Sequence, residues 1–253
     1  MQTPQPEYVV PVVAHRLFGR NYPDIRIEAG FPDEDDIISG EPRPGFVVRG
    51  TIGENPPVID HSRGTQRSWQ EIDAMFTAAP EVDGTDGSTV NDLWADTGIR
   101  FELVEKTDTP ISSAMAQHLS PDTAIVNSLL RPVGREGVIN LYFARRINGA
   151  WGFARPYYPA RAGHIPIATI ADLRDRSENP DTQWKHSLIT LAHEFGHVLG
   201  LGHVAFDENI MYGHGTLLGS LKLDQPQAAI CRNRAAYLSG AVSPPASRRA
   251  PRM

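Results

Sequence analysis

The run His193-Glu194-Phe195-Gly196-His197-Val198-Leu199-Gly200-Leu201-Gly202-His203 restricts what this chain can fold into more than any other segment. Two histidines four apart on a helix point the same way, with Cβ atoms about 6 Å apart. The rings of His193 and His197 can then reach one ion at about 2.0–2.1 Å. Glu194 follows the first histidine directly, which sets it beside such an ion rather than on it. Gly200 can take a left-handed backbone conformation and stop the helix. The chain then turns, and His203 swings back as a third ligand. Three neutral nitrogen donors leave a fourth position for water, the arrangement of a catalytic rather than a structural zinc.

The surroundings suit that reading. Leu188, Leu191, Ala192, Phe195, Val198 and Leu199 fall on one helical stripe, and His193, Glu194 and His197 lie off it. One apolar face to bury and one polar face to carry ligands is what the chemistry needs. Asp181, just after Pro180, is the expected N-cap, with Ser187 a later alternative.

The extended motif, taken with Asn209-Ile210-Met211-Tyr212-Gly213, resembles the metzincin clan of zinc endopeptidases. In that clan a methionine in a tight turn lies beneath the zinc. The resemblance assigns Met211 to that place as a non-coordinating floor, with Tyr212 supporting the turn. The short gap from His203 to Met211 and the Met-Tyr pair are similar to the matrixin branch. Val204, at the position that often marks the branch, matches none of the main ones. Gly213 stands where an astacin-type tyrosine would fall, so no extra ligand is implied. The strong resemblance covers residues 188–213, and a weaker one extends over much of the chain.

The fold implied is α+β and metzincin-like. It has a twisted mixed sheet of about five strands, a backing helix, a zinc-site helix, and a small C-terminal lobe with a helix. One catalytic domain over residues 1–240 would divide into an upper lobe to about 200 and a lower lobe over 201–240. An irregular insertion is expected over about 30–64, and a disordered Pro-rich, basic tail over 241–253. With 253 residues and 40% hydrophobic content, the chain can bury a core of this size.

Local patterns place the elements. Residues 8–17 read as an opening strand in which Pro11 marks a bulge or weakens the pattern. A short hairpin through Phe46-Val47-Val48 is expected inside the insertion. Residues 68–79 read as a helix with Trp69, Ile72, Met75 and Phe76 on one face. Residues 89–96 form a second helical stretch ended by Gly98, and 99–104 alternate like a strand. Residues 137–145 are the clearest strand, with Val138, Asn140, Tyr142 and Ala144 on one face and Ile139, Leu141 and Phe143 on the other. Two such faces suit a buried position in the sheet. Asn148-Gly149 signals a turn. Residues 164–170 look like the last central strand. Asp224 and Gln227 form a reciprocal capping box for a C-terminal helix that runs to about Leu238, with Gly240 as its stop.

By resemblance, the strand after the Asn148-Gly149 turn is the open edge over the cleft. Trp151, Gly152, Phe153 and Ala154 are therefore assigned to substrate binding by β-augmentation, with a plain hairpin return strand as the alternative. The loop 213–219 would wall the specificity pocket. The acidic run Asp33-Glu34-Asp35-Asp36 reads as a solvated loop, with a Ca2+ site as the alternative, since hard cations favour clustered oxygen ligands. Asp83, Asp86 and Asp92 offer a second Ca2+ possibility, although turn chemistry accounts for the first two. Cys231 is expected to be a buried helix thiol. His15, His61, His118, His164, His186 and His214 are read as ordinary polar residues.

The chemistry expected is metal-assisted peptide hydrolysis. Zn2+ held by His193, His197 and His203 would polarise the scissile carbonyl, and Glu194 would act as general base and then as proton donor to the leaving amine. The partner is a protein or peptide substrate. A net charge of −6 argues against nucleic acid, and no apolar run is long enough to span a membrane. The competing functions are a catalytically silent binding module on the same scaffold, a zinc hydrolase acting on a non-peptide amide, and a protease toxin acting in another cell. Residues 1–6 lack the pattern of a secretory leader. Export is expected either after loss of a leader absent from this sequence or by a non-classical route, with the cytoplasm as the alternative. One cysteine excludes an intrachain disulfide.

Overall fold

The chain folds around a strand that is apolar on both faces. In the computed structural model, β1 (Tyr8–Asn21) turns Val10, Val12 and Ala14 towards one core and Leu17 towards a second. The structure describes residues 8–21, 26–30, 47–51, 58–60, 64–78, 87–112, 115–116, 119–121, 126, 130–158, 165–172, 180–213 and 221–243.

Three strands pair with β1. The short β4 (Val58–Asp60) pairs antiparallel with its last residues. The long β5 (Ile99–Ser112) runs parallel along one side, and β6 (Ile139–Ala144) runs parallel along the other. Then come β8 (Ile167–Ala171), parallel to β6, and β7 (Gly152–Arg155), antiparallel to β8. The main path is β5-β1-β6-β8-β7, a mixed sheet of about five strands with β4 appended, in an α+β fold. The inner parallel strands β6 and β8 are buried along their whole length, whereas β5 exposes Arg100, Glu102 and Val104. Ile139, Leu141 and Phe143 of β6 enter one core, and Tyr142 and Ala144 the other.

Pro11 sits where its missing N–H does little harm. The β1–β6 ladder begins at Val12, and the β1–β5 register shifts between Val12 and Val13. The insertion is less irregular than its composition suggests. Within it, β3 (Val47–Thr51) pairs antiparallel with β2 (Arg26–Gly30) in a separate two-stranded sheet, while Phe46 lies outside the described residues.

The helices are shorter or start earlier than the patterns indicate. Helix α1 covers Trp69–Ala74, opened by a Ser68/Glu71 capping box and closed at Met75 rather than at 79. Helix α2 (Val90–Leu93) is capped by Thr89 and followed by a 3₁₀ turn, Ala95–Thr97, which Gly98 ends at φ +74°. Strand β5 continues to Ser112 because β1 accompanies it that far. Helix α3 (Pro180–Val198) begins at the proline, whose fixed φ and missing N–H suit a first turn. Asp181 and Ser187 therefore lie inside the helix and do not cap it. Ser187 donates back to Gln183 O (2.8 Å) and accepts from Arg67 Nη2 (2.6 Å). That guanidinium also pairs with the buried Asp172 at the end of β8, so α3 is tied to the sheet by a polar network as well as by packing. Helix α4 (Gln225–Leu238) has the Asp224/Gln227 capping box, and Gly240 follows at φ +74°. Cys231 on α4 is fully buried.

The apolar stripe of α3 packs on the sheet, with Leu188, Leu191, Ala192, Phe195, Val198 and Leu199 all buried in the first core. That packing fixes the rotation of α3 and turns its other face towards β7. Among the described residues no helix is long and apolar enough to cross a membrane.

Candidate metal centre and cleft

Helix α3 ends where the motif requires. Gly200 adopts φ +93°, and the Gly200 and Leu201 N–H groups close on His197 O and Gly196 O (both 2.9 Å). The reversal carries His203 back towards the helix. Its Nε2 stands 3.2 Å from His193 Nε2 and 3.0 Å from His197 Nε2. Two nitrogens each about 2.0–2.1 Å from one ion at a tetrahedral angle stand about 3.3 Å apart, so the spacing matches a shared ion.

The tautomers agree. His193 Nδ1 donates to Ile210 O (2.7 Å), and His197 Nδ1 donates to Leu201 O (2.8 Å). Each ring is thereby fixed, with the Nε2 lone pair turned inward. Burial pushes His193 down to about 4 and lowers His197, which keeps both rings neutral and able to ligate at neutral pH. Lone pairs converging at this distance repel each other unless a cation lies between them. The donor set therefore fits zinc. Among the described residues it is the one His/Cys/Asp/Glu cluster able to hold a metal.

Glu194 is 4% exposed, and burial pushes its carboxyl group up to about 8. It lines a cavity of about 650 Å³ together with all three histidines, Trp151, the β7 residues Gly152, Phe153 and Ala154, and Tyr212. Strand β7 pairs with β8 and not with β6, so the Asn148-Gly149 turn does not close a β6–β7 hairpin. An isolated Ile147–Ala150 bridge is all the antiparallel pairing at that turn. Strand β7 ends the sheet path beside the cavity.

Met211 is fully buried beneath the helix. A Cβ placed on Gly196 would collide with Met211 Sδ, so the glycine inside the motif makes room for the methionine. Gly196→Ala is expected to cost about 1–3 kcal/mol of stability by overpacking, read as a lower Tm with an unchanged circular-dichroism spectrum.

Sequence reasoning missed several supports of the site. Asn209 accepts from Met211 N (2.8 Å) and donates to Gln227 Oε1 (2.7 Å), joining the methionine turn to the cap of α4. An Asx side chain two residues before its N–H partner is a readable turn signature. The carbonyls of Ile210 and Leu201, which orient the histidines, have no sequence signature at all. Arg234 packs its guanidinium against Gly200 and donates to Tyr157 O (2.9 Å), which locks the helix end to the segment after β7.

The remaining histidines and acidic residues take other places. His15 is buried in the sheet, stacked on Tyr142 and bonded to Thr109 Oγ1 (3.1 Å). His186 stacks on Trp151 at the cavity wall. Asp92 accepts from Thr89 N and Oγ1, which makes it a capping residue. The run Asp33–Asp36, Asp83, Asp86, His61, His118, His164, His214, the loop after Gly213 as far as 220, and the tail beyond 243 lie outside the described residues.

The shifted groups give the metal-free protein a distinctive pH dependence. The folded chain keeps a proton on Glu194 between 4.5 and about 8 that the unfolded chain has released. That share of stability is present below 4.5 and is lost as pH rises towards about 8. His193 acts oppositely, its share being complete above 6.5 and lost as pH falls towards about 4. His15 and His197 share that sign. After chelation, stability should therefore decline from pH 6.5 to 8, and Glu194→Gln should flatten the decline in denaturant titrations.

No family model matches the chain. It is similar to an extracellular metalloprotease of Colletotrichum graminicola, with 32% identity over 120 residues, or 46% of this chain and 41% of that protein. The chain thus spans less than half the length of that curated relative. Among solved structures, it resembles metalloproteinase-II from Bacteroides fragilis with TM-score 0.45 and 13% identity over 90% of this chain and 54% of the other. It also resembles an archaemetzincin from Methanopyrus kandleri with TM-score 0.44 and 13% identity over 92% of this chain and 99% of the other.

Proposed function

We propose that this chain is a zinc-dependent endopeptidase of the metzincin type, closest to the matrixin-like branch. The reading is carried by the convergence of three Nε2 atoms, two with their tautomers set by backbone carbonyls, in a cavity shared with a buried glutamate and the edge of a sheet. Similarity to an extracellular metalloprotease supports the same chemistry and a secreted location. The chain is read as one catalytic domain to about residue 240, with its lobes meeting near Gly200.

His193, His197 and His203 would hold the metal, with Met211 and Tyr212 forming the turn below. Bound there, zinc supplies a Lewis acid that polarises the scissile carbonyl and makes water more acidic. Glu194 accepts the proton of the attacking water and delivers it to the leaving amine. An extended peptide adds to the sheet along β7, with Trp151, Gly152, Phe153 and Ala154 against its backbone. That registry brings one peptide bond to the histidine cluster.

The experiment is digestion of a broad peptide library by the zinc-loaded protein. Internal cleavage that a chelator abolishes and zinc restores is the expected outcome. Zinc-loaded protein that cleaves nothing would leave a silent scaffold. Activity confined to non-peptide amides would point to the other hydrolase class.

A further inference from the structure

Gly152 opens β7 and faces the Glu194 side chain. A Cβ placed on it would stand 2.6 Å from Glu194 Oε1, 2.8 Å from Cγ and 2.9 Å from Cδ. Favourable contacts between carbon atoms lie at about 3.5–4.0 Å, so no side chain fits while Glu194 stays where it is. Gly152 is not among the glycines of positive φ. Space, and not backbone strain, is what excludes a larger residue.

Both sides of this contact are anchored. Gly152 pairs with Ile170 in the β7–β8 ladder, and Ala171 N donates to the neighbouring Trp151 O (2.8 Å). Leu191, Ala192 and Phe195 hold the helix in the core with no exposure. Glu194 Oε2 is buried and accepts no hydrogen bond among the described residues. Packing, rather than a polar partner, therefore sets the direction of this carboxylate, and the backbone of Gly152 is the surface it packs on.

We infer that Gly152 is a positioning residue for Glu194: the bare backbone of the edge strand seats the carboxylate in the cavity it shares with the histidine triad. The catalytic consequence rests on reading Glu194 as the general base, whereas the contact itself does not. The atoms that a new Cβ would meet belong to the end of a flexible side chain. Gly152→Ala should therefore fold normally and bind zinc normally while turning the carboxylate aside. A misplacement of about 1 Å at a reacting group costs roughly 10²-fold in rate.

The test uses the full, zinc-loaded chain. Gly152→Ala is expected to keep wild-type zinc stoichiometry and Tm, to lose roughly 10–100-fold in kcat, and to leave KM nearly unchanged. Glu194→Ala removes all three atoms that the new Cβ would meet. The Gly152→Ala penalty on the residual rate should accordingly shrink towards unity in the Glu194→Ala background. Wild-type kcat in Gly152→Ala, or the same penalty in both backgrounds, would overturn the inference. A crystal structure of zinc-loaded Gly152→Ala separates this idea from the peptidase reading. A displaced carboxylate with β7 in place supports the seat even if the wild-type protein cleaves nothing. An unmoved carboxylate with β7 displaced refutes the seat even if it does.

Discussion

Glu194→Ala is expected to lower kcat for peptide hydrolysis by about 10²–10⁴-fold, the usual worth of a positioned general base. Zinc should stay bound at full stoichiometry. The two effects separate because Glu194 contributes nothing to the convergence of the three imidazoles. It projects from α3 between residues of the buried stripe and the ligand face, 4% exposed, against the edge strand. The side chain fills space that alanine leaves empty, and removal of a carboxyl group held near a pKa of about 8 also removes a desolvation cost. A small change in Tm is therefore compatible with a large change in rate. Retention of most activity in a metal-checked Glu194→Ala preparation would remove Glu194 from the role of base.

His203→Ala should act on the metal first. His193 and His197 are fixed by α3, but His203 is exposed and comes from the turn after Gly200. Its loss leaves two nitrogens on a helix face, too few for a closed hold on zinc. Removing a group that merely orients a ligand costs about 10–100-fold in metal affinity, so loss of a ligand itself should cost more than that. Elemental analysis after dialysis should show sub-stoichiometric zinc, and a competitive chelator titration should give the affinity. Full occupancy after dialysis would take His203 out of the ligand set. The helical fold should persist in the metal-free variant, because the α3 stripe and the sheet pack without the imidazoles.

The sequence was most legible where the structure is set by short-range rules. The period of the α3 stripe, the two faces of β6, the Asp224/Gln227 box and the glycine stops at 98, 200 and 240 all follow from a few neighbouring residues. The start of α3 is hidden in the sequence because both Asp181 and Ser187 are plausible caps, while the proline before them opens the helix. Strand β7 was harder for a different reason. An Asn-Gly turn favours a hairpin with the preceding strand, but β7 crosses to β8, and that choice is made by long-range packing. Gly152 and Gly196 were opaque because each contributes an absence. Their purpose is visible only when Glu194 and Met211 are seen against them. The orienting carbonyls of Ile210 and Leu201 were likewise invisible, since every residue carries one.

Zinc K-edge X-ray absorption on the protein loaded with one equivalent of zinc addresses the coordination directly. The account predicts three imidazole nitrogens at about 2.0–2.1 Å and one oxygen from water in the first shell. His203→Ala should lose one nitrogen from that shell, and Glu194→Ala should leave it intact. A first shell closed by four protein donors, or a protein that takes up no zinc, would contradict it.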